Sequence, residues 1–452
     1  MRVIRESSAS VSTTRVVVFN SRDSNCLHLC DHVIKKMSSS DAEDALTDIL
    51  LEVIKVQLQD LQNKEQKKKI VSVRYILYDV NPQEGFNLRR DVYIRLAVFL
   101  RILTENSEKW KLVLPPWNEL PHWTSSNAGI QRNLPWSLFF NLRSLQNYAP
   151  VIEMFEFNED HCNVALDYVV ILQHYKDVWE ENFTWVDKWD VEECQQPVNF
   201  KKVGNGMYVG SLFGYNNITA KKVVCVSFQG TALLLKNILD FLQGRFIAFE
   251  HAEIVLHDHY GGPEYWKCRK SMKFSNDLFK IATDFRKSTL PSENNENHVN
   301  FTYFLGYSYL AVHLRRRDYL LSHPLQVPNI THASDQIKIK LRMYNLNTTF
   351  IATDAFDEEI EQLIVKVLPF KVVRYIPSLN ILQKYKDGGV AIIEQIVCSY
   401  ARYFIGSYES TFSFRIQEER ELLNFHPDTT FNRFCGNAEI NCKQPSRWLK
   451  VE

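Results

Sequence analysis

The sharpest change of hydrophobic period in this chain lies between Tyr75 and Leu100, YILYDVNPQEGFNLRRDVYIRLAVFL. The apolar run Tyr75 to Val80 predicts a strand. Asn81-Pro82 ends it, because proline withdraws a ladder donor and pushes its predecessor away from helical dihedrals. Gly85 supplies the freedom for a turn, and Asn87 is the expected N-cap of a helix with Leu88, Val92, Leu96, Phe99 and Leu100 at helical spacing. The acid of that loop, Glu84, then sits just past the carboxyl end of a strand, where open α/β sheets place ligand chemistry.

The alternation continues along the chain. Further strands are expected at Lys111–Pro115, Val169–Leu172, Val223–Phe228, Tyr309–Leu314, Thr349–Thr353, Val372–Tyr375 and Tyr403–Gly406. Helical patterns at Val92–Leu103, Tyr265–Phe285 and Phe356–Leu368 separate many of them. Strands alternating with helices predict an α/β protein with parallel sheets, and the repetition in both halves predicts two Rossmann-like domains. Residues 1–70 read as a poorly ordered lead-in followed by an amphipathic helix, Ala42 to Lys69, whose basic end suits the helix dipole. The polar tract Ser288 to His298 marks a boundary between domains at residues 71–290 and 291–452.

At 452 residues with 45% hydrophobic content, the chain has material for two cores. Lys+Arg and Asp+Glu both number 53, so no whole-chain field favours nucleic acid or an anionic membrane. No apolar run approaches the ~18 residues of a membrane span. Asn182, Asn217, Asn300, Asn329 and Asn347 each open a glycosylation sequon, which points to the secretory pathway. The first 40 residues nonetheless lack the apolar run, about 7–15 residues long, of a signal peptide. The nine cysteines cannot all pair within the chain. Cys435 and Cys442 suit a small disulfide loop, whereas Cys225 and Cys398, in apolar surroundings, read as buried thiols.

Two further segments carry candidate chemistry. In YLAVHLRRRD an apolar strand runs into His313 and Arg315, and an arginine there can hold phosphate oxygens with a charge that does not titrate away. Arg316 and Arg317 read equally well as a solvated corner. In GGVAIIEQIVCSYARYFIGSYESTFSF, a helix containing Glu394 leads to a strand, a loop of small and hydroxylated residues, and a helix starting near Thr411. Such a helix start presents free N–H groups to a phosphate or pyrophosphate. Walker A, G-x-G-x-x-G and Asp-x-Asp motifs are missing, and His257-Asp258-His259 reads better as a turn than as a metal site. An acid on one domain facing an arginine and a helix start on the other is the equipment for glycosyl transfer from a nucleoside-diphosphate sugar.

At these residues the chain resembles the GDP-fucose protein O-fucosyltransferases, in the branch that acts on thrombospondin type 1 repeats. The likeness rests on LYDVNPQEGFNLRRDVYIRLA, LVLPPWNELPHW, LHDHYGGPEYW, AVHLRRRD, FIATDA, YKDGGVAIIEQ, STFSFRIQEERE and NRFCG, in order from about Tyr75 to the C-terminus. The resemblance implies a GT-B enzyme, two Rossmann-like domains facing across a cleft, that inverts the anomeric centre. It implies Glu84 as acid/base residue and GDP-fucose contacts at Gln83, Glu84, Gly85, Phe86, Asn87, His313, Leu314, Arg315, Glu394, Thr411 and Phe412. Gln83 stands where the family usually has Pro, which is expected to loosen the loop, and Glu394 where it usually has Asp. Disulfides Cys162 to Cys194 and Cys435 to Cys442 are implied. So are a monomeric enzyme in the endoplasmic reticulum lumen, folded thrombospondin repeats as acceptor, and no metal or other cofactor. Two alternatives stay open: a non-catalytic GDP-binding, chaperone-like module for cysteine-rich repeats, and a fucosyltransferase for another acceptor such as EGF-like repeats.

Overall fold

The computed structural model describes residues 13–16, 32–35, 73–162, 164–176, 186–256, 261–291 and 303–451. The expected helix Ala42 to Lys69, the sequons at Asn182 and Asn300, His257-Asp258-His259 and most of the polar tract after Ser288 lie outside the described residues. Within the expected lead-in, β1 (Thr13–Val16) and β2 (His32–Lys35) pair antiparallel.

The first large sheet contains β3 (Arg74–Tyr78), β4 (Trp110–Leu114), β5 (Val151–Glu153), β6 (Leu166–Gln173), β7 (Lys188–Glu192), β8 (Lys201–Lys202), β9 (Tyr208–Leu212), β10 (Tyr215–Gln229) and β11 (Phe246–Glu250). Its order is β5-β4-β3-β11-β6-β10-β9-β8, with β7 on β10. The run from β5 to β10 is parallel, whereas β7, β8 and β9 are added antiparallel. The second sheet holds β12 (Tyr307–Leu314), β13 (Thr348–Thr353), β14 (Lys371–Val373) and β15 (Ala401–Ile405), all parallel in the order β14-β13-β12-β15. The central strands read as continuous apolar runs because both their faces are covered, as in β12, where Tyr309 to Leu314 are all buried.

Helices flank both sheets. α1 (Phe86–Glu105) follows β3, and α2 (Pro263–Ser271) and α3 (Asn276–Thr289) follow the first sheet. The single helix expected over Tyr265–Phe285 is therefore two. Phe274 breaks it by leaving the helix line to bridge Phe140 and lie under the Arg90 guanidinium. In the second half, α4 (Ile330–Met343), α5 (Asp357–Val367), α6 (Leu379–Ser399) and α7 (Thr411–Leu422) alternate with the strands.

The two halves exchange elements. Phe285 of α3 packs edge-on against Phe350 of β13 and against Tyr375. The carboxyl-terminal segment crosses back, where the Leu449 carbonyl accepts from Trp266 Nε1 at 3.1 Å. Among the described residues no helix is long and apolar enough to cross a membrane.

Three further expectations about local structure fail. Asn87 is not the N-cap: Gly85 occupies that position with extended dihedrals. The Asn87 Oδ1 instead accepts from Arg90 at 3.2 Å and from Gln395 of α6 at 2.8 Å, buried donors that have greater need of a partner than an exposed helix start. Cys225 is not a thiol, because it is bonded to Cys194. Strand β7 pairs with β10 and sets Glu192 opposite Cys225, which brings Cys194 into bonding range. Cys162 is disulfide-bonded, but not to Cys194. Cys435–Cys442 forms as expected, and Cys398 is a buried free thiol.

Candidate active site

Both sheets reverse their strand order next to the strands that carry the candidate residues. In the first sheet β3 lies between β4 and the late strand β11, and in the second β12 lies between β13 and β15. Ligands of open parallel sheets sit in the crevice at such switch points. Here the two crevices open into one cavity of about 360 Å³.

From the first half, Gln83, Glu84, Gly85, Phe86 and Asn87 line this cavity. Their loop is tied down by main-chain and side-chain bonds. Glu84 N–H donates to Asn81 O at 2.9 Å, and Asn81 N–H donates to Glu253 Oε2 at 3.0 Å. Arg89 reaches back from α1, donating to the carbonyls of Glu84 at 3.0 Å, Asn81 at 3.0 Å and Val80 at 3.2 Å. Gln83 does not leave the loop loose. Its N–H donates to Asn81 Oδ1 at 3.0 Å, a turn bond that proline lacks the hydrogen to make. Burial, reinforced by the charge of Glu253, pushes the Glu84 carboxyl above its ordinary pKa, with Arg89 opposing. That direction improves a carboxylate as a base.

From the second half come His313, Arg315, Glu394, Thr411 and Phe412. His313 is buried, stacks on Phe412 with centroids 4.3 Å apart, and shares a 2.9 Å hydrogen bond with Ser413 Oγ. Burial and then the Arg315 charge push its pKa down to about 3, so the ring is neutral. The loop after β15 wraps this strand end. Ser407 Oγ donates to His313 O and accepts from Arg315 N–H, each at 2.8 Å. Gly406 is required there, since a Cβ would meet Ser413 Oγ at 2.6 Å. Ser410 caps α7 without a side-chain hydrogen bond, and Ser410, Thr411 and Phe412 at this helix start line the cavity.

The Arg315 guanidinium donates to both Asp318 carboxylate oxygens at 3.0 Å, lies 3.2 Å from Asp354, and approaches His122 of the first half. Burial works against the Asp318 charge, but Arg315 outweighs it and holds that carboxyl below its ordinary pKa. Glu394 lies in the cavity wall on α6, and desolvation raises its pKa to about 8 against the pull of Arg374.

Leu314 does not line the cavity, because β-strand alternation turns it from His313 and Arg315 into the core packed on α4. Arg316 is no solvated corner. It is buried, paired with Glu359, and donates to the Pro328 carbonyl. Sequence reading missed His122, Trp123, Tyr319, Asp354 and Asp387, which also line the cavity. His122, Trp123 and Asp354 come from loops, Tyr319 from a short helix and Asp387 from α6, and only the folded chain sets their approach, although the tryptophans and prolines of LVLPPWNELPHW marked one of those loops as built. Among the described residues no three His, Cys, Asp or Glu side chains are grouped to hold a metal ion.

Two Rossmann-like halves that meet at their switch points define a glycosyltransferase of the GT-B class. Solved structures share the fold: a crystal structure of POFUT1 in complex with GDP has a TM-score of 0.51 at 17% identity, covering 80% of this chain and 98% of that one. A crystal structure of POFUT1 in complex with GDP-fucose gives 0.52 at 16% identity, covering 80% and 98%. The family pattern for GDP-fucose protein O-fucosyltransferase matches residues 75–423, and the chain belongs to that family. GDP-fucose protein O-fucosyltransferase 2 of Homo sapiens is 44% identical over 391 residues, covering 83% of this chain and 89% of that protein. The protein of the same name from Caenorhabditis elegans is 39% identical over 396 residues, covering 84% and 90%. The chain is thus an enzyme that uses GDP-fucose as donor.

Proposed function

We propose that this enzyme transfers fucose from GDP-fucose, with inversion, to a Ser or Thr hydroxyl of folded thrombospondin type 1 repeats. The observation that carries the reading is that Glu84 and Arg315, from different sheets, line one cavity at the two switch points. The acceptor hydroxyl oxygen forms a bond to the anomeric carbon from the face opposite the diphosphate. The bond from that carbon to the diphosphate oxygen breaks, its electron pair leaves with GDP, and Glu84 takes the hydroxyl proton. Arg315 and the first-turn N–H groups of α7 offset the charge gathering on the diphosphate, a preorganised electrostatic contribution. Arginine does this with a permanent charge, so the reading needs no divalent cation.

The choice of acceptor follows the family resemblance, as do the endoplasmic reticulum lumen and a monomeric state. The test is transfer from GDP-fucose to a folded repeat, compared with the same repeat reduced and unfolded. Transfer to the folded form alone is the expected result. Transfer only to an EGF-like repeat would overturn the acceptor assignment, and GDP binding without any transfer would overturn the catalytic one.

A further inference from the structure

The loop between β4 and β5 crosses from the first half of the molecule to the second. Its base is closed by Trp117 and Leu134, which exchange backbone hydrogen bonds at 2.9 and 3.0 Å, and Glu119 N–H donates to Gln131 O at 2.8 Å. Its far end is held by α6. The Asp387 carboxylate accepts from Ser125 N–H at 3.0 Å and from Gln131 Nε2 at 3.1 Å, and Lys386 Nζ donates to Ala128 O at 2.7 Å. Lys386 sits at φ 60° inside α6, so the helix accepts a strained residue at the anchoring point.

This anchoring fixes His122 in the cleft. Arg315 Nη2 lies 3.2 Å from its Nδ1 and 3.3 Å from its Nε2, and a neutral imidazole accepts through one of them. The other side of the ring faces the base loop, where a Cβ on Gly85 would sit 3.5 Å from His122 Cδ2. His122 thus stands between the residue next to Glu84 and the guanidinium of Arg315. It is the contact from the first half on a side chain that Asp318 and Asp354 pull towards the second half. Desolvation at the cleft wall and the Arg315 charge both push its ring below the ordinary pKa, in keeping with an acceptor role.

We propose that His122 is a positioning residue for transfer: it accepts from Arg315, holds the guanidinium towards the diphosphate side of the cleft, and sets its spacing from the Glu84 loop. The proposal rests on the reading of Arg315 given above. It acts through Arg315, so its effect must vanish when the guanidinium fork is gone.

The experiment is a double-mutant cycle on the full chain, with His122→Phe, His122→Gln, Arg315→Lys and His122→Phe combined with Arg315→Lys. GDP affinity is read by calorimetry, fucose transfer by kinetics, and folding by thermal unfolding. His122→Phe keeps a ring against Gly85 but has no acceptor, and it is expected to lose ~10–100-fold in kcat/KM and in GDP affinity, the loss of one hydrogen bond to a charged group. His122→Gln, which restores an acceptor, is expected to recover most of both. In the Arg315→Lys background the His122 change is expected to add less than about twofold. If His122→Phe does not fold, His122→Ala replaces it in the cycle. Near wild-type kinetics for His122→Phe, failure of Gln to rescue, or full additivity with Arg315→Lys would each overturn the proposal. A wild-type chain that binds no GDP would overturn the reading beneath it instead.

Discussion

Arg89 Nε donates to the main-chain carbonyl of Glu84 at 3.0 Å, so the first turn of α1 grips the loop that carries the candidate base. The same guanidinium reaches Asn81 O and Val80 O, so its fork binds three carbonyls of the loop between β3 and α1. Arg89→Lys keeps the charge but cannot span all three. Its expected effect is a ~10–100-fold fall in kcat, since misplacement of a reacting group by about 1 Å costs on that order. GDP affinity is expected to stay within about twofold, because Arg89 does not line the cavity. Steady-state kinetics with calorimetry on GDP checks both halves, and an unchanged kcat would show that the loop holds without the fork.

Glu84→Gln leaves shape and hydrogen bonding nearly intact while removing the base, so transfer is expected to fall ~10²–10⁴-fold with GDP still bound. The pH profile gives a second check. Burial raises the Glu84 pKa, and below that pKa the carboxyl already holds the proton it must accept. The rate is therefore expected to fall as pH drops, with its acid limb above the ordinary glutamate value. A limb at or below that value would exclude Glu84 as the titrating base.

The parts legible in the sequence were those fixed by local pattern. The strand–loop–helix around Glu84 and the run into His313 and Arg315 were readable because a period changes there, and because proline and glycine limit the backbone. All eight expected strands exist, but β1, β2 and the antiparallel β7, β8 and β9 were missed, and so were β11 and β5 of the parallel run. Phe246–Glu250 is as apolar as a buried helix segment, and Val151–Glu153 is too short to show alternation. The cap at Asn87 and the fate of Cys225 failed for one reason: each is settled by a partner far along the chain, Gln395 at 2.8 Å in one case and Cys194 in the other. His122 was invisible for the same reason, since its role exists only once α6 has anchored its loop.

The Cys194–Cys225 bond closes a loop with a sequence separation of 31, joining the segment just after β7 to β10. Chain-entropy arguments put the stabilisation at about 3–4 kcal/mol for a loop of this size. Cys194→Ala with Cys225→Ala is expected to lower the urea midpoint accordingly. Non-reducing peptide mapping should recover these two cysteines together, and a peptide joining Cys162 to Cys194 would contradict the arrangement.

Glu394 stands at the cavity wall with a pKa raised to about 8, mainly by desolvation, so the empty site holds it protonated at neutral pH. If it accepts from guanine N–H groups, as the family resemblance implies for this position, the bound state needs the carboxylate. GDP binding should then release a proton and tighten as pH rises towards about 8. Calorimetry in buffers of different ionisation enthalpy measures the released proton directly. The sign for stability runs the other way: with its folded pKa above the unfolded one, Glu394 makes the empty protein less stable as pH rises from the ordinary glutamate range to about 8. Glu394→Gln is expected to remove both dependences, and proton release that survives this change would come from another group.

The two halves are held in register by a buried charge cluster. Arg415 on α7 pairs with Asp91 on α1 at 3.2 Å and with Glu418 at 2.8 Å, and Arg269 on α2 pairs with Glu418 at 2.8 Å. All four side chains are almost fully buried, so each charge depends on its neighbours rather than on water. Removing one partner leaves an uncompensated ion, which costs about 3–5 kcal/mol, whereas removing a pair to apolar residues of similar volume is often close to neutral. Arg415→Met alone is therefore expected to lower stability by up to about that amount, because Asp91 and Glu418 each lose a buried ionic partner. Asp91→Leu combined with Arg415→Met takes away one charge of each sign and leaves Arg269 with Glu418, so it is expected to be more stable than the single variant. Urea unfolding with unchanged m-values measures the difference. The same cluster ties the helix that starts at the Glu84 loop to the helix whose first turn lines the same cavity. Even a well-folded double variant is therefore expected to lose kcat more than GDP affinity. Equal stability of wild type and Arg415→Met would mean that this cluster does not hold the halves together.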